Sequence, residues 1–215
     1  MTEFAYSQLM RWVDECNRLL GGGIQQLPIL QNPSAQCRRL YQGGRVLDIG
    51  AGAHKPLQSR LGIPDSLYVS LDNDPDGDFT YGEADDIPLS AQFDFAMMNE
   101  VLEHLTVDDA AALEAAANRH MAPEALLVVT IPNVAHPVRQ WSHALHVTAW
   151  PFPHLYGLLR HAGLNVIEVA RYNKKPLARN PLKSFVVKTV LDTFRMDWCD
   201  SVMLMARKPG KDDDA

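Results

Sequence analysis

An acid followed by two glycines one residue apart, in Arg45-Val46-Leu47-Asp48-Ile49-Gly50-Ala51-Gly52, is the first spacing in this chain that implies chemistry. Gly50 and Gly52 allow the backbone to turn sharply and leave room for a ligand where a Cβ would collide. Further on, Asp72 and Asn73 follow the apolar run Leu67 to Leu71. An acid at that point, about 20 residues after the glycine turn, suits hydrogen bonds from both hydroxyls of a ribose. A third group, Glu100, Glu103 and His104, falls at i, i+3 and i+4. On a helical turn the three share one face and can gather around a cation or a substrate proton. His143 and His146, shortly before Trp150, offer a base from elsewhere in the chain.

These groups need a scaffold that brings them together, and the order of elements supplies one. Val46, Leu47 and Ile49 suit a strand buried on both faces. Later strands are expected at Leu67 to Leu71, Phe79 to Tyr81, Phe93 to Met98, Ala125 to Ile131, Leu164 to Ala170 and Ser201 to Ala206. Helices are expected at Phe4 to Leu20, Ala35 to Tyr41, Val107 to His120 behind the cap Thr106, Pro153 to His161 closed by Gly163, and near Lys183 to Phe194. Alternation of this kind describes an α/β fold with a mostly parallel sheet and helices on both faces. In such a sheet a ligand lies beyond the carboxyl ends of the strands, where residues following successive strands converge.

Composition bounds the reading. A chain of 215 residues with 47% hydrophobic content has material for one substantial core. No apolar run approaches the ~20 residues of a bilayer span, and Met1 to Leu20 lacks the apolar centre of a signal peptide, so no transmembrane segment and a cytoplasmic protein are expected. Cys16, Cys37 and Cys199 are far apart and form no CxxC, which disfavours a disulfide framework or a structural zinc site. A net charge of -6 argues against a nucleic-acid-coating role. The basic stretch Arg171 to Lys183 is short and broken by Pro176 and Pro181. Gly21-Gly22-Gly23 ends the first helix, the segment up to Pro33 reads as a connection, and Gly210 to Ala215 reads as a disordered tail.

With YGEADDIPL (81 to 89) and FDFAMMNEVLEHL (93 to 105) added to the glycine turn and Asp72, the chain resembles the class I S-adenosylmethionine-dependent methyltransferases. The ordered series continues through LLVVTIPN (126 to 133), FPHLYGLLRHAGLNVIEV (152 to 169) and DSVMLMARK (200 to 208). The resemblance implies a Rossmann-like seven-stranded sheet whose last strand is antiparallel. It implies a methyltransferase domain over 43 to 208, a helical extension over 1 to 42 and a disordered tail over 209 to 215. S-adenosylmethionine is the implied cofactor and S-adenosylhomocysteine the product. Asp48, Gly50, Ala51 and Gly52 would approach the methionyl and ribose parts, and Asp72 with Asn73 would hold the ribose. Glu83 or Asp85, with the Ala84 N–H, would face the adenine. Asn99 and Glu100 would lie near the sulfonium and the acceptor, and His104, His146 and Glu100 are the candidate catalytic groups. Where many relatives have a third small residue, this chain has His54, Lys55 and Pro56, and Lys55 is placed to meet the cofactor carboxylate or solvent.

Some O-methyltransferases with a similar E-x-x-E-H arrangement bind a divalent metal. Acids early in a helix are already accounted for by its positive end, and no metal ligands are assigned here. Asp72, Asp74, Asp76, Gly77 and Glu83 also fit the calcium-loop formula, but that loop belongs between two helices and this segment follows a strand. Trp141, Trp150, Phe152 and Tyr156 suit core packing or an apolar acceptor pocket. The implied activity is methyl transfer to a small-molecule or lipid- or sugar-linked acceptor. Alternatives are a cofactor-binding module without turnover and a nicotinamide oxidoreductase; Lys55 breaks the full G-x-G-x-x-G that the latter uses.

Overall fold

The computed structural model describes residues 6–21, 23–173 and 181–210. Seven strands form one sheet among these residues: β1 (Ile29–Leu30), β2 (Val46–Ile49), β3 (Tyr68–Leu71), β4 (Phe93–Asn99), β5 (Met121–Pro132), β6 (Asn165–Tyr172) and β7 (Ser201–Arg207). Their order across the sheet is β1-β6-β7-β5-β4-β2-β3. β2 runs parallel to both β3 and β4, and β4 runs parallel to β5. β1 is parallel to β6, and β7 alone is antiparallel to its two neighbours, β5 and β6. The chain leaves β2 for β3 on one side and returns as β4 on the other, so the winding reverses at β2 and β4. Crevices that bind ligands in open α/β sheets form at such reversals.

Alternation along the central strands divides the core between two faces. Leu47, Ile49, Leu127, Val129 and Leu204 meet Ala110 and Ala117 of α4 (Val107–His120), Leu155 and Leu158 of α5 (Phe152–His161) and Cys16 of α1 (Tyr6–Leu20). Val46, Val128, Met203 and Met205 meet Cys37 of α2 (Pro33–Leu40) and Leu57 and Leu61 of α3 (Pro56–Leu61) on the other face. Each large apolar side chain so enclosed contributes roughly 1.5–3 kcal/mol of transfer free energy. α1 packs tightly on α5 because Gly157 has no side chain: a Cβ there would lie 2.6 Å from Leu9 Cδ1. Glu15 joins the same contact by accepting from the Tyr156 hydroxyl at 2.7 Å.

Local chemistry explains the ends of these elements. Asn32 caps α2 by accepting from the Ala35 N–H at 2.9 Å, with Pro33 in the first turn. Thr106 caps α4 by accepting from the Asp109 N–H, as its sequence position suggests. Gly163, at φ +86, lets the chain turn from α5 into β6. α6 (Pro181–Thr193) occupies the stretch between β6 and β7 where a helix near Lys183 to Phe194 was expected.

Two expectations need correction. Phe79 to Tyr81 is not a strand; it contributes one isolated bridge, Tyr81 to Leu71, with Tyr81 N–H donating to Ser70 O. The seventh strand lies in the segment read as a connection, where Ile29 and Leu30 pair with Arg171 and Tyr172. The short α3 after the glycine turn was not anticipated, although Pro56 marks its first turn. Cys16, Cys37 and Cys199 are buried free thiols. No described helix is long and apolar enough to cross a membrane. Most of the expected disordered tail, residues 211–215, lies outside the described residues.

Candidate active site

The glycine turn is locked by its neighbours on both sides. Gly50 (φ +69) donates its N–H to Leu71 O at 2.8 Å, and a Cβ on it would lie 2.3 Å from Val101 Cγ2. The positive φ and the close Val101 each exclude a side chain there. Gly52 (φ +64) donates its N–H to Asp72 Oδ2 at 2.8 Å, tying the end of β3 to the end of β2. At Gly52 a Cβ would meet nothing within 4 Å, so the space beside this turn is open. Lys55, also at positive φ, lies with its ammonium 5.8 Å from the Phe79 ring centroid.

A cavity of about 840 Å³ opens from this turn toward α4. Gly50, Asp72, Asn73, Glu83, Ala84, Asp85, Glu100 and His104 all line it. A second cavity of about 480 Å³ opens toward α2 and α3, where Asp48, Ala51 and Asn99 join Gly50. Thus the structure gathers eleven of the thirteen sequence-assigned residues around two spaces that share Gly50. The other two lie in the surrounding framework: Gly52 holds Asp72, and His146 stands edge-on to His104 with ring centroids 5.1 Å apart.

Electrostatics differ between the cavities. Burial pushes the Asp48 carboxyl up to about 6, against the lowering effect of the Tyr68 hydroxyl that donates to it at 2.5 Å, with nearby Asp72 raising it further. Asp72 instead stands partly open, its Oδ1 accepting from the Asp74 N–H at 3.0 Å. Asp74 repeats this turn with the Asp76 N–H. This run follows β3 and leads into a 3₁₀ turn over Ala84–Asp86, so it is not the helix-flanked setting of a calcium loop. Asp86 accepts from the Glu83 N–H at 3.1 Å, and Glu83, Asp85 and Asp86 all lie on the cavity wall.

Glu100 follows β4 at φ +58, a left-handed conformation that a glutamate adopts only when its surroundings hold it there. Its N–H donates to Thr130 O at 3.0 Å, and Arg139 Nη2 donates to its Oε2 at 3.1 Å. His104 directs Nδ1 at Leu145 O (3.0 Å) and His146 directs Nδ1 at Gln140 O (2.8 Å). A carbonyl only accepts, so both Nδ1 atoms carry the proton and both Nε2 atoms present a lone pair. Burial holds the His146 imidazole below its ordinary pKa, which favours this neutral form.

Several contributors were not visible in the sequence. Tyr172 and Asn173 enter the second cavity at the end of β6, and burial pushes the Tyr172 phenol up to about 12. Arg139 reaches Glu100 across a long stretch of chain. The strand pattern around Tyr172 was a usable signal, had β6 been extended two residues past Ala170; nothing local marks Arg139. Of the four aromatic candidates, Trp150, Phe152 and Tyr156 pack in the core, and Trp150 Nε1 donates to Leu102 O. Trp141 is exposed.

A reversal in sheet winding, a glycine turn and an acid after the neighbouring strand define an α/β protein built for a nucleoside cofactor. The methyltransferase-domain family model matches residues 23–169, and the chain belongs to the class I S-adenosylmethionine-dependent methyltransferases, which makes S-adenosylmethionine its cofactor. Among curated proteins none matches the sequence. The fold is similar to that of an S-adenosylmethionine-dependent methyltransferase from Archaeoglobus fulgidus, at 17% identity and TM-score 0.61, over 95% of this chain and 100% of that one. It is also similar to the N-methyltransferase NodS from Bradyrhizobium japonicum in complex with S-adenosylhomocysteine, at 17% identity and TM-score 0.54, over 95% and 98% of the two chains. The [4+2]-cyclase SpnF shares it at 17% identity and TM-score 0.57, over 94% of each.

Proposed function

We propose that this protein transfers the methyl group of S-adenosylmethionine to a small-molecule or lipid- or sugar-linked acceptor. What carries the reading is the convergence of Asp48, Gly50, Asp72, Asn99 and Glu100 at the carboxyl ends of the adjacent strands β3, β2 and β4. The open side of Gly52 and the paired cavities fit such a cofactor. Asp72 with Asn73 would hold the ribose, and Glu83 or Asp85 with the Ala84 N–H the adenine. Asp48, Gly50, Ala51 and Asn99 would hold the methionyl part.

S-adenosylmethionine supplies a methyl group on a sulfonium, and its leaving group is a neutral thioether. The chain's own task is therefore to hold donor and acceptor in line and to exclude water. Glu100, fixed by Arg139, stands at the cavity wall between the cofactor turn and His104 and suits a positioning part. If the acceptor is a hydroxyl, His104, which lines the larger cavity with its Nε2 lone pair unprotonated, would take its proton, with His146 edge-on beside it. The net charge of -6 disfavours nucleic acid as the acceptor.

The test is an untargeted search for labelled products, using methyl-labelled donor, purified protein and a metabolite extract from the source organism. A labelled product absent from a Gly50→Val control supports the proposal. Cofactor binding without labelled product, across polar and lipid extracts alike, would move the reading to a binding module. The fold alone does not dictate methyl transfer, since a [4+2]-cyclase shares it.

A further inference from the structure

Beside the larger cavity, three histidines from two separate segments come together. One ring nitrogen from each of His104, His143 and His146 lies within 4.8 Å of the others. The His143 and His146 rings stack at 4.9 Å between centroids, and His104 stands edge-on to both.

The fourth group is Glu103, buried to 1% exposure. Its Oε1 lies 4.0 Å from His104 Nε2 and 4.0 Å from His146 Nε2. Donor atoms bound tetrahedrally at 2.0–2.1 Å from one zinc ion stand about 3.3 Å apart. The three ring nitrogens lie within 4.8 Å of one another and Glu103 Oε1 lies 4.0 Å from two of the rings, so the rings would have to move inward to reach that spacing.

The surroundings are already organised for ligation. The Nδ1–H groups of His104 and His146 are both held by backbone carbonyls, Leu145 O and Gln140 O, which leaves Nε2 as the ligating atom and fixes each ring's direction. Metal-bound histidines characteristically have this outer hydrogen bond. The Glu103 carbonyl accepts from the N–H groups of Val147 (2.7 Å) and Thr148 (3.1 Å), binding the two ligand-bearing segments to one another. His143 is exposed, and its Nδ1 accepts only a long 3.4 Å contact from the Leu145 N–H, so its ring turns at little cost.

We infer that His104, His143, His146 and Glu103 form a binding site for a zinc-class divalent transition metal, joining the 140–148 segment to the turn after β4 at the wall of the larger cavity. Imidazole nitrogens with one carboxylate oxygen suit zinc or its neighbours better than magnesium or calcium, which take oxygen donors. Glu100 is no part of this set, its carboxylate being committed to Arg139. The inference rests on side-chain geometry and not on methyl transfer, so either can fail without the other.

The experiment is calorimetric titration of the full, tag-free, chelator-stripped chain with Zn²⁺, together with visible absorption after Co²⁺ substitution. Expected are one equivalent bound at about micromolar Kd or tighter, a tetrahedral cobalt spectrum, and affinity lowered roughly tenfold or more in both His143→Ala and His146→Gln. His143 is exposed, so its variant keeps the fold, which far-UV circular dichroism checks. Absence of stoichiometric zinc binding, unchanged affinity in the folded His143→Ala protein, or a thiolate-to-cobalt charge-transfer band pointing to the cysteines would each overturn the inference.

Discussion

The residues that line the larger cavity are held in two different ways. On the side of β2 and β3, the functional groups sit on backbone that the sheet itself fixes: Gly50 bonds to Leu71 O, and Gly52 bonds to Asp72. On the side of Glu100, His104 and Leu105, position depends on contacts over long separations with the 134–150 segment behind them: Arg139 on Glu100, His104 on Leu145 O and Thr148 Oγ1 on Leu105 O. The first wall is shared architecture suited to a constant ligand. The second is assembled from loop residues that can change without disturbing the sheet, as expected of the part that chooses an acceptor.

The contrast breaks if substitutions on the two walls have the same effect. The largest effect is expected from Gly50→Val, whose side chain would collide with Val101 at a positive φ. Titration calorimetry should find S-adenosylhomocysteine binding abolished. Asp72→Ala should weaken the same binding about 100-fold, or ~2.7 kcal/mol, the scale of two charge-assisted hydrogen bonds to a ribose. A change of only a few-fold would remove Asp72 from the cofactor wall.

Next comes a stability effect on α4, the helix that lines the larger cavity. Glu114 of α4 is fully buried, and desolvation pushes its carboxyl up to about 8. Folding therefore favours the protonated form. Its contribution is complete below the ordinary carboxyl pKa of about 4.5 and is lost as pH rises toward 8, because the unfolded chain gains by ionising first. Glu114→Gln should leave the melting temperature nearly unchanged at pH 4.5 and raise stability at pH 8 by on the order of 2 kcal/mol. Equal effects at both pH values would show that Glu114 is ionised inside the fold.

The smallest effect is expected on the loop wall. Arg139→Met should lower turnover by roughly 5- to 10-fold, the worth of one part-buried charged hydrogen bond, while S-adenosylhomocysteine affinity holds. A loss of cofactor affinity matching that of Asp72→Ala would erase the distinction between the walls.

The same division governs how much could be read from the sequence. Val46 to Gly52 and Asp72 were legible because a buried strand needs a continuous apolar run and a sharp turn needs glycine. These are local demands that leave local traces. Phe79 and Tyr81 imitate a strand by alternation, yet the Asp72–Asp76 turns leave room for a single bridge. β1 is two residues long and only partly buried, too short for any periodic signal, and it exists because Arg171 and Tyr172 offer an edge. The histidine group was half legible. Glu103 and His104 share a turn, but nothing in the sequence reports that His143 and His146 fold back against them.

The most direct measurement is calorimetric titration of the unaltered chain with S-adenosylhomocysteine and, separately, with NAD. Expected is one equivalent of S-adenosylhomocysteine bound and no heat from NAD. Silence with S-adenosylhomocysteine, or binding of the dinucleotide in its place, would contradict an adenosyl-sulfonium site at the turns after β2, β3 and β4.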